Sequence, residues 1–270
     1  MDRINQCFEA MTKIGTTGVI PYLTVGYPSV EQTISLVPAL IEGGADIIEL
    51  GVPFSDPLAD GPTIQKSSFH ALSQGVNLGT CLEVCRQLRS NGVTTPLVLM
   101  GYYNPILSYG LEQFAVDAQY AGIDGVIVPD LPFEESGQLQ AACRENSIHV
   151  IPLLAPTSTD ARIAHSCDGA TGFVYCVSLT GVTGARQELA PGIPALCQRV
   201  RRHTNLPLAI GFGISQRHHV ESLAPWAQAA VVGSALIEVL EQTPWWQMGE
   251  AVRDFVAALK GITPNLKEQT

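Results

Sequence analysis

The stretch ADIIELGVPFSDPLADGPTIQ, residues 45–65, holds the parts of one strand–loop–helix unit. It begins with an apolar run that ends at Gly51, continues through a proline-rich loop, and reaches the predicted start of a helix near Pro62. The run does not alternate between apolar and polar residues, which is typical of a strand covered on both faces of a parallel sheet. The stretch therefore predicts one βα unit.

Seven further runs have the same character, and most successive starts are at most 34 residues apart. The eight predicted strands are Val19–Thr24, Asp46–Gly51, Leu97–Gly101, Gly125–Pro129, His149–Leu154, Gly172–Ser178, Leu206–Gly211 and Ala229–Gly233. Eight parallel strands in about 250 residues predict an α/β fold, the (β/α)8 or TIM barrel, as a single domain over residues 1–270. The main alternative is a doubly wound open sheet. Its first strand usually enters a glycine-rich turn, whereas here the first run exits through Gly26-Tyr27-Pro28.

The interval from residue 46 to 97 has room for a long loop and two helices. Residues 1–15 are predicted to form an extra N-terminal helix, with Ile4 and Phe8 on one face, positioned to cover the barrel floor. Ser29 followed by Gln32 predicts a capping box at a helix start. Residues 261–270 are predicted to be a flexible tail.

Composition excludes several classes of function. The net charge of −10 argues against a nucleic-acid-binding face, and the basic cluster at 199–203 is interpreted as a solvated helix end. No apolar run is long enough to span a membrane, and the charged N-terminus has no signal-peptide core. The seven cysteines contain no C-x-x-C spacing, so we expect reduced core thiols, no metal site and a cytoplasmic protein.

Glu49 is the first candidate for chemistry. Active residues of such barrels project from the carboxyl ends of strands, and Glu49 lies near the end of an apolar strand. Burial of a carboxyl group raises its pKa toward the range useful for proton transfer. The alternative is a buried ion pair, but no lysine or arginine lies near a predicted strand end.

The loop after this strand offers two more carboxylates. Its prolines stiffen the backbone around Asp56 and Asp60 and could hold a carboxylate in a defined place. The alternative is that both residues make turns or cap the next helix. Asp130, after the fourth predicted strand, could equally cap the helix that follows it.

Two glycine-bearing segments, 211–215 and 232–235, follow the last two predicted strands. Loops at these positions often bind phosphate in such barrels through backbone N–H groups and the start of a helix. The alternative is a pair of plain turns. Residues 178–187 are interpreted as a lid or, equally, as an inert connection, and Tyr175 is expected to place its phenol inside the barrel.

Several motifs together resemble the tryptophan synthase alpha chain family. Besides 45–65, they are PYLTVGYP (21–28), GYYNPI (101–106), GVIVPDLP (125–132), VSLTGVTGAR (177–186), GFGIS (211–215) and VVGSA (231–235). The resemblance implies a barrel that cleaves indole-3-glycerol phosphate to indole and glyceraldehyde 3-phosphate. It also implies a heterotetramer with a beta chain, which carries pyridoxal phosphate, whereas no cofactor is expected in this chain.

The resemblance also implies residue roles. Glu49 matches the acid/base residue, and Asp60 matches the carboxylate that accepts the indole N–H. The residues that match substrate-binding positions are Tyr22, Ile64, Met100, Ile127, Ile151, Tyr175, Thr183, Gly184, Phe212, Gly213, Gly233 and Ser234. The residues that match the surface facing the beta chain are Asp56, Asn104 and Pro132.

The sequence departs from well-known enterobacterial members at three positions. Leu179 replaces an arginine, while Tyr22 and Met100 replace a phenylalanine and a leucine. Three other hypotheses stay open: a stand-alone indole-releasing enzyme, a binding-only subunit that activates the beta chain, and a different sugar-phosphate barrel. Retention of both carboxylates argues against the second. The last requires another catalytic acid or a metal set, and no histidine cluster lies at the strand ends.

Overall fold

A computed structural model, which describes residues 2–177, 192–211 and 213–262, contains one wholly parallel sheet. Its strands are β1 Gly18–Thr24, β2 Ile48–Gly51, β3 Leu97–Met100, β4 Gly125–Ile127, β5 His149–Val150, β6 Leu153–Leu154, β7 Val174–Val177, β8 Leu208–Gly211 and β9 Ala229–Val232. The order across the sheet is β5-β4-β3-β2-β1-β9-β8-β7-β6. All eight predicted runs are confirmed as strands, with the fifth divided into β5 and β6.

The divided strand closes the barrel. β5 pairs with β4 and β6 pairs with β7, so one short segment joins both edges of the sheet. Across the interruption, the Ile151 N–H donates to the Val126 carbonyl at 2.9 Å, and the Tyr175 N–H donates to the Pro152 carbonyl at 2.9 Å. The interruption falls at Pro152, which has no N–H to donate. The predicted (β/α)8 barrel is therefore confirmed, and the open-sheet alternative is wrong.

Helices connect the strands. They are α1 Arg3–Ile14, α2 Val30–Glu42, α3 Pro62–Ser73, α4 Leu78–Ser90, α5 Tyr103–Tyr109, α6 Leu111–Tyr120, α7 Gly137–Glu145, α8 Asp160–Cys167, α9 Gly192–Arg201, α10 Arg217–Leu223, α11 Ser234–Gln242 and α12 Met248–Lys260. The long interval between β2 and β3 holds two helices, as predicted. Ser29 caps α2 by accepting from the Gln32 N–H at 3.2 Å. The predicted return bond from the Gln32 side chain is absent from the described structure, where the Ser29 hydroxyl donates to Glu31 instead.

The N-terminal helix α1 closes the barrel floor. Ile4, Phe8 and Met11 are buried and belong to the cluster that fills the barrel interior. The centroid of the Phe8 ring lies 5.5 Å from that of Phe173, the residue just before β7. The extra helix predicted from the first residues is therefore confirmed, and it separates the interior from solvent at the end opposite the strand carboxyl ends.

Asp124 fastens this end of the barrel. Its buried carboxylate accepts from Arg3 at 2.8 Å, from Arg89 at 2.6 Å and from the Leu97 N–H at 2.8 Å. One side chain thus ties α1, α4 and β3 together. Because a buried charge is stable only when it is paired, the two arginines are what allow this carboxylate to lie inside.

Two arginines of the basic cluster also have structural roles. The Arg199 guanidinium donates to Asp160 at 2.6 Å and to the Ser158 carbonyl, while Arg201 donates to the Leu206 carbonyl and to Gln228. The interpretation as a solvated helix end is wrong for both. Among the described residues no helix is long and apolar enough to cross a membrane, and no His, Cys, Asp and Glu side chains group as a metal site would require.

Candidate active site

Glu49 lies inside the barrel near the carboxyl ends of the strands. It is on β2 beside Tyr22 of β1, and its side chain is 1% exposed. The Oε1 atom is buried and has no hydrogen-bond partner in the described structure. No ion pair to Glu49 exists in that part of the chain either, so the alternative of a buried salt bridge is not supported.

Burial changes the protonation of this carboxyl group. The pKa of Glu49 is raised from 4.5 to about 8, first because burial disfavours the charged form and second because of the negative charge of Asp60. Glu49 lies on β2 and Asp60 lies in the loop that follows this strand, at the same end of the barrel. At neutral pH Glu49 is therefore mostly protonated and is able to donate a proton.

Asp60 is held by Tyr102, a residue for which the sequence predicted no role. The Tyr102 hydroxyl donates to Asp60 Oδ2 at 2.9 Å and accepts from the Ala59 N–H at 3.0 Å. The Tyr102 ring stacks on Phe54, with ring centroids 5.2 Å apart. Its position in the sequence could have indicated a role in the site, because Tyr102 directly follows the predicted strand Leu97–Gly101 and so lies at the active end of the barrel.

The pKa of Asp60 is raised from 3.8 to about 6 because burial outweighs the opposing hydrogen bond from Tyr102. Asp60 is thus mostly ionised at neutral pH while Glu49 is mostly protonated. The helix-cap alternative for Asp60 is wrong, because Gly61 occupies the N-cap of α3 and no side chain caps that helix. Two carboxyl groups with separated pKa values can serve as an acid and a fixed anion.

Hydrogen bonds to α3 immobilise the loop that carries Asp60. The Phe54 N–H donates to the Ser68 hydroxyl at 3.0 Å, and the Gln65 amide donates to the Asp60 carbonyl at 2.9 Å. A turn bond from the Asp60 N–H to the Pro57 carbonyl, at 3.0 Å, closes the loop on itself. The stiff loop expected from its prolines is therefore anchored at both ends.

Two tyrosines lie over glycines of neighbouring strands. A Cβ atom on Gly51 would lie 2.0 Å from the Tyr22 hydroxyl, and one on Gly211 would lie 2.1 Å from the Tyr175 hydroxyl. Only glycine leaves room for these rings. The Tyr175 ring packs against the interior cluster, so its phenol lies inside the barrel, as expected. Burial first, and then the charges of Glu49 and Asp60, raise the pKa of Tyr175.

The apolar residues among the predicted substrate-binding positions lie at two depths in the barrel. Ile64 is buried and Met100 is partly buried, whereas Ile127 and Ile151 are fully enclosed in the interior cluster that includes α1. Leu153 pairs with Tyr175 across β6 and β7, is partly buried, and packs against the same cluster. Ile151 was predicted from the sequence and Leu153 was not, although Leu153 lies two residues further toward the mouth on the same face of the strand.

The described residues of the two glycine-bearing loops have features of an anion-binding site. Gly233 precedes α11 and no side chain of the described residues caps this helix, whose first residue is Ser234. The start of such a helix offers backbone N–H groups to an anion. Gly213 has a left-handed φ of 70°, which favours glycine. Thr183, Gly184, Phe212 and the lid assigned to 178–187 lie outside the described residues, as does Leu179.

The residues predicted to face a partner lie on the outer rim. Asp56 and Asn104 are exposed and Pro132 is partly exposed. Leu58, in the Asp60 loop, is 92% exposed. Asp130 does not cap the helix that follows it. It accepts from the N–H of Tyr103 at 2.9 Å, at the start of α5.

Comparison with known proteins identifies the family. A family model described as tryptophan synthase alpha chain matches residues 8–265. A tryptophan synthase alpha chain from Roseiflexus sp. (strain RS-1) is 51% identical over 97% of this chain and 100% of its own length. One from Chloroflexus aggregans is 50% identical over 90% of this chain and 91% of its own length.

Solved structures agree. The alpha subunit from Legionella pneumophila superposes with a TM-score of 0.86 at 34% identity, covering 97% of this chain and all of that one. A chain from a study of the tryptophan synthase α2β2 complex of Pyrococcus furiosus has a TM-score of 0.85 at 41% identity, covering 91% and 98%. The chain therefore belongs to the tryptophan synthase alpha chain family.

Proposed function

We propose that this chain cleaves indole-3-glycerol phosphate to indole and glyceraldehyde 3-phosphate, with Glu49 as the proton donor and Asp60 as the opposing anion. The observation that carries the proposal is the buried Glu49 carboxyl group, whose Oε1 has no hydrogen-bond partner among the described residues. The two groups need not exchange a proton with each other. Each acts on a different edge of the substrate ring.

The chemistry follows from the two protonation states. Glu49 donates its proton to the indole ring carbon that bears the glycerol chain, and the positive charge that develops moves to the ring nitrogen. Asp60 accepts a hydrogen bond from that N–H and stabilises the charge. The carbon–carbon bond then breaks, and its electron pair restores the aromatic ring. The adjacent hydroxyl loses its proton as it becomes a carbonyl, and the Glu49 carboxylate takes that proton back, so no acid is consumed.

The rest of the site binds the substrate. The N–H groups at the start of α11, with Ser234, Gly233 and Gly213, are the proposed phosphate ligands. Ile64, Met100 and Tyr175 are proposed to enclose the indole, with Ile127 and Ile151 beneath them. The assignments of Thr183, Gly184 and Phe212 as further ligands rest on family resemblance alone.

The proposed partner is the tryptophan synthase beta chain in an α2β2 complex, to which the indole passes. The exposed Leu58, with Asp56, Asn104 and Pro132, forms the surface proposed to face it. Pyridoxal phosphate belongs to the beta chain of this family, and the proposed cleavage needs no cofactor in this chain. We also propose that the whole chain is one barrel domain and acts in the cytoplasm.

Indole release from indole-3-glycerol phosphate, measured with and without beta chain, tests the proposal. Wild-type protein should release indole, faster with the partner, and Glu49→Gln should lower the rate by about 10²–10⁴-fold. Asp60→Asn should be severely impaired yet still bind a phosphate-bearing analogue. Near-normal turnover by Glu49→Gln would contradict the assignment of Glu49 as the proton donor. Full activity without any response to beta chain would favour the stand-alone enzyme, and an inactive chain that still activates the beta chain would favour the binding-only subunit.

A further inference from the structure

The hydroxyl of Tyr22 is the first of three that form a buried chain. Thr24 Oγ1 lies 3.3 Å from the Tyr22 hydroxyl oxygen and 2.7 Å from Ser67 Oγ. Ser67 Oγ in turn lies 2.9 Å from the Ile64 carbonyl oxygen. All three side chains are buried, and Thr24 and Ser67 are completely so. The chain therefore links the barrel mouth to the backbone of α3 without contact with solvent.

Counting protons shows what this chain can present to a ligand. Each hydroxyl has one proton to donate. Thr24 donates its proton to the Tyr22 oxygen, so Ser67 donates to Thr24 and the Tyr22 proton is not used within the chain. Tyr22 can thus donate a hydrogen bond to a ligand hydroxyl.

The position of Tyr22 indicates which part of a ligand it meets. Its hydroxyl lies over Gly51, two residues beyond Glu49 on β2, and a Cβ atom added to Gly233 would lie 3.6 Å from the Tyr22 Cβ. The ring thus extends from the start of α11 to the neighbourhood of the carboxyl groups. Burial first, and then the charge of Asp60, raise the pKa of Tyr22, so the phenol stays neutral.

We propose that the Tyr22 hydroxyl binds a hydroxyl of the three-carbon chain that joins the indole ring to the phosphate, which makes Tyr22 a specificity residue for a hydroxylated chain. This inference rests on the proposed function, which places the phosphate at Gly233 and the reacting carbon at Glu49. A chain between those points passes along Tyr22. Its two hydroxyls are its only polar groups between the ring and the phosphate ester.

The test compares two ligands in Tyr22→Phe, using the full chain in complex with beta chain. We expect kcat/KM for indole-3-glycerol phosphate to fall about 3- to 10-fold, as loss of one neutral hydrogen bond requires. The inhibition constant of the analogue with a plain propyl phosphate chain should change less than about twofold. Tyr27→Phe, which removes a hydroxyl that donates to Glu241 of α11 at 3.5 Å, is the matched control and should change neither value.

Ser67→Ala tests the relay without altering the cavity. It should lower kcat/KM about twofold in the wild-type background and have no further effect in Tyr22→Phe, because the hydroxyl it orients is then missing. Equal weakening of both ligands by Tyr22→Phe would show that only ring packing matters and would overturn the inference, as would no change in either ligand. A wild-type chain that releases no indole would remove the proposed function and this inference with it, whereas normal release with no ligand discrimination would remove only the inference.

Discussion

Glu49→Gln should make the protein more stable above neutral pH. The wild-type carboxyl group has a pKa of about 8 when folded and 4.5 as a free group, because burial disfavours its charge. Between these values the unfolded chain loses the proton while the folded chain keeps it, so stability falls as pH rises. Glutamine has nearly the same shape, stays neutral, and removes this dependence.

The size of the effect follows from the pKa difference. At 1.36 kcal/mol per pKa unit, the shift corresponds to up to about 5 kcal/mol, of which about 4 kcal/mol falls between pH 5 and pH 9. A typical domain has about 5–15 kcal/mol of stability in total, so the effect is large. The site would therefore reduce stability in order to keep a protonated carboxyl group available, a known cost of active sites.

Urea unfolding at several pH values measures this contribution of Glu49 to the pH dependence of stability. The free energy of unfolding of wild-type protein, minus that of Glu49→Gln, should fall by about 4 kcal/mol from pH 5 to pH 9. Glu83→Gln is the control. The pKa of Glu83 is lowered to about 2 by hydrogen bonds from Arg86, so its titration lies below pH 5 and its difference from wild type should stay constant across this range. Parallel curves for wild type and Glu49→Gln would refute the reasoning.

Three further substitutions test separate parts of the structure. Tyr102→Phe removes the hydrogen bond that lowers the pKa of Asp60, so the acidic limb of the pH–rate profile should move up by about one unit; an unmoved limb would assign that limb to another group. Gly211→Ala should destabilise the fold by about 1–3 kcal/mol in urea unfolding, because the new methyl group overlaps Tyr175, and by less when combined with Tyr175→Ala. Asp124→Ala should cost about 3–5 kcal/mol in the same assay, since it leaves two arginines without their buried partner; a loss below about 1 kcal/mol would show that water replaces the carboxylate.

Much of the fold could be predicted from local pattern. The strands follow from apolar runs of regular spacing, and the N-terminal helix follows from its apolar face. Glu49 could be identified because burial of a carboxylate inside an apolar strand costs free energy of folding, so its presence there indicates a functional role. These signals are contained within one element and do not depend on the rest of the chain.

The missed features depend on contacts between distant segments. Tyr102 is recognised only through its hydrogen bond to Asp60, 42 residues away. The role of Arg199 likewise depends on Asp160 and on carbonyl groups 41 and 43 residues away. For Ile127 and Ile151, alternation predicts that the side chains point inward, but how deep they lie is set by α1 filling the floor. Composition and spacing carry no information on such partners.

The pH dependence of kcat/KM for indole release tests the central claim most directly, because it reports the protonation of the free enzyme. A protonated Glu49 facing an ionised Asp60 predicts a bell-shaped profile, rising through a pKa of about 6 and falling through a pKa of about 8. The substrate phosphate also titrates near pH 6, and the shift expected in Tyr102→Phe separates it from Asp60. A profile that is flat from pH 5 to pH 9, or that keeps rising above pH 8, would contradict the account.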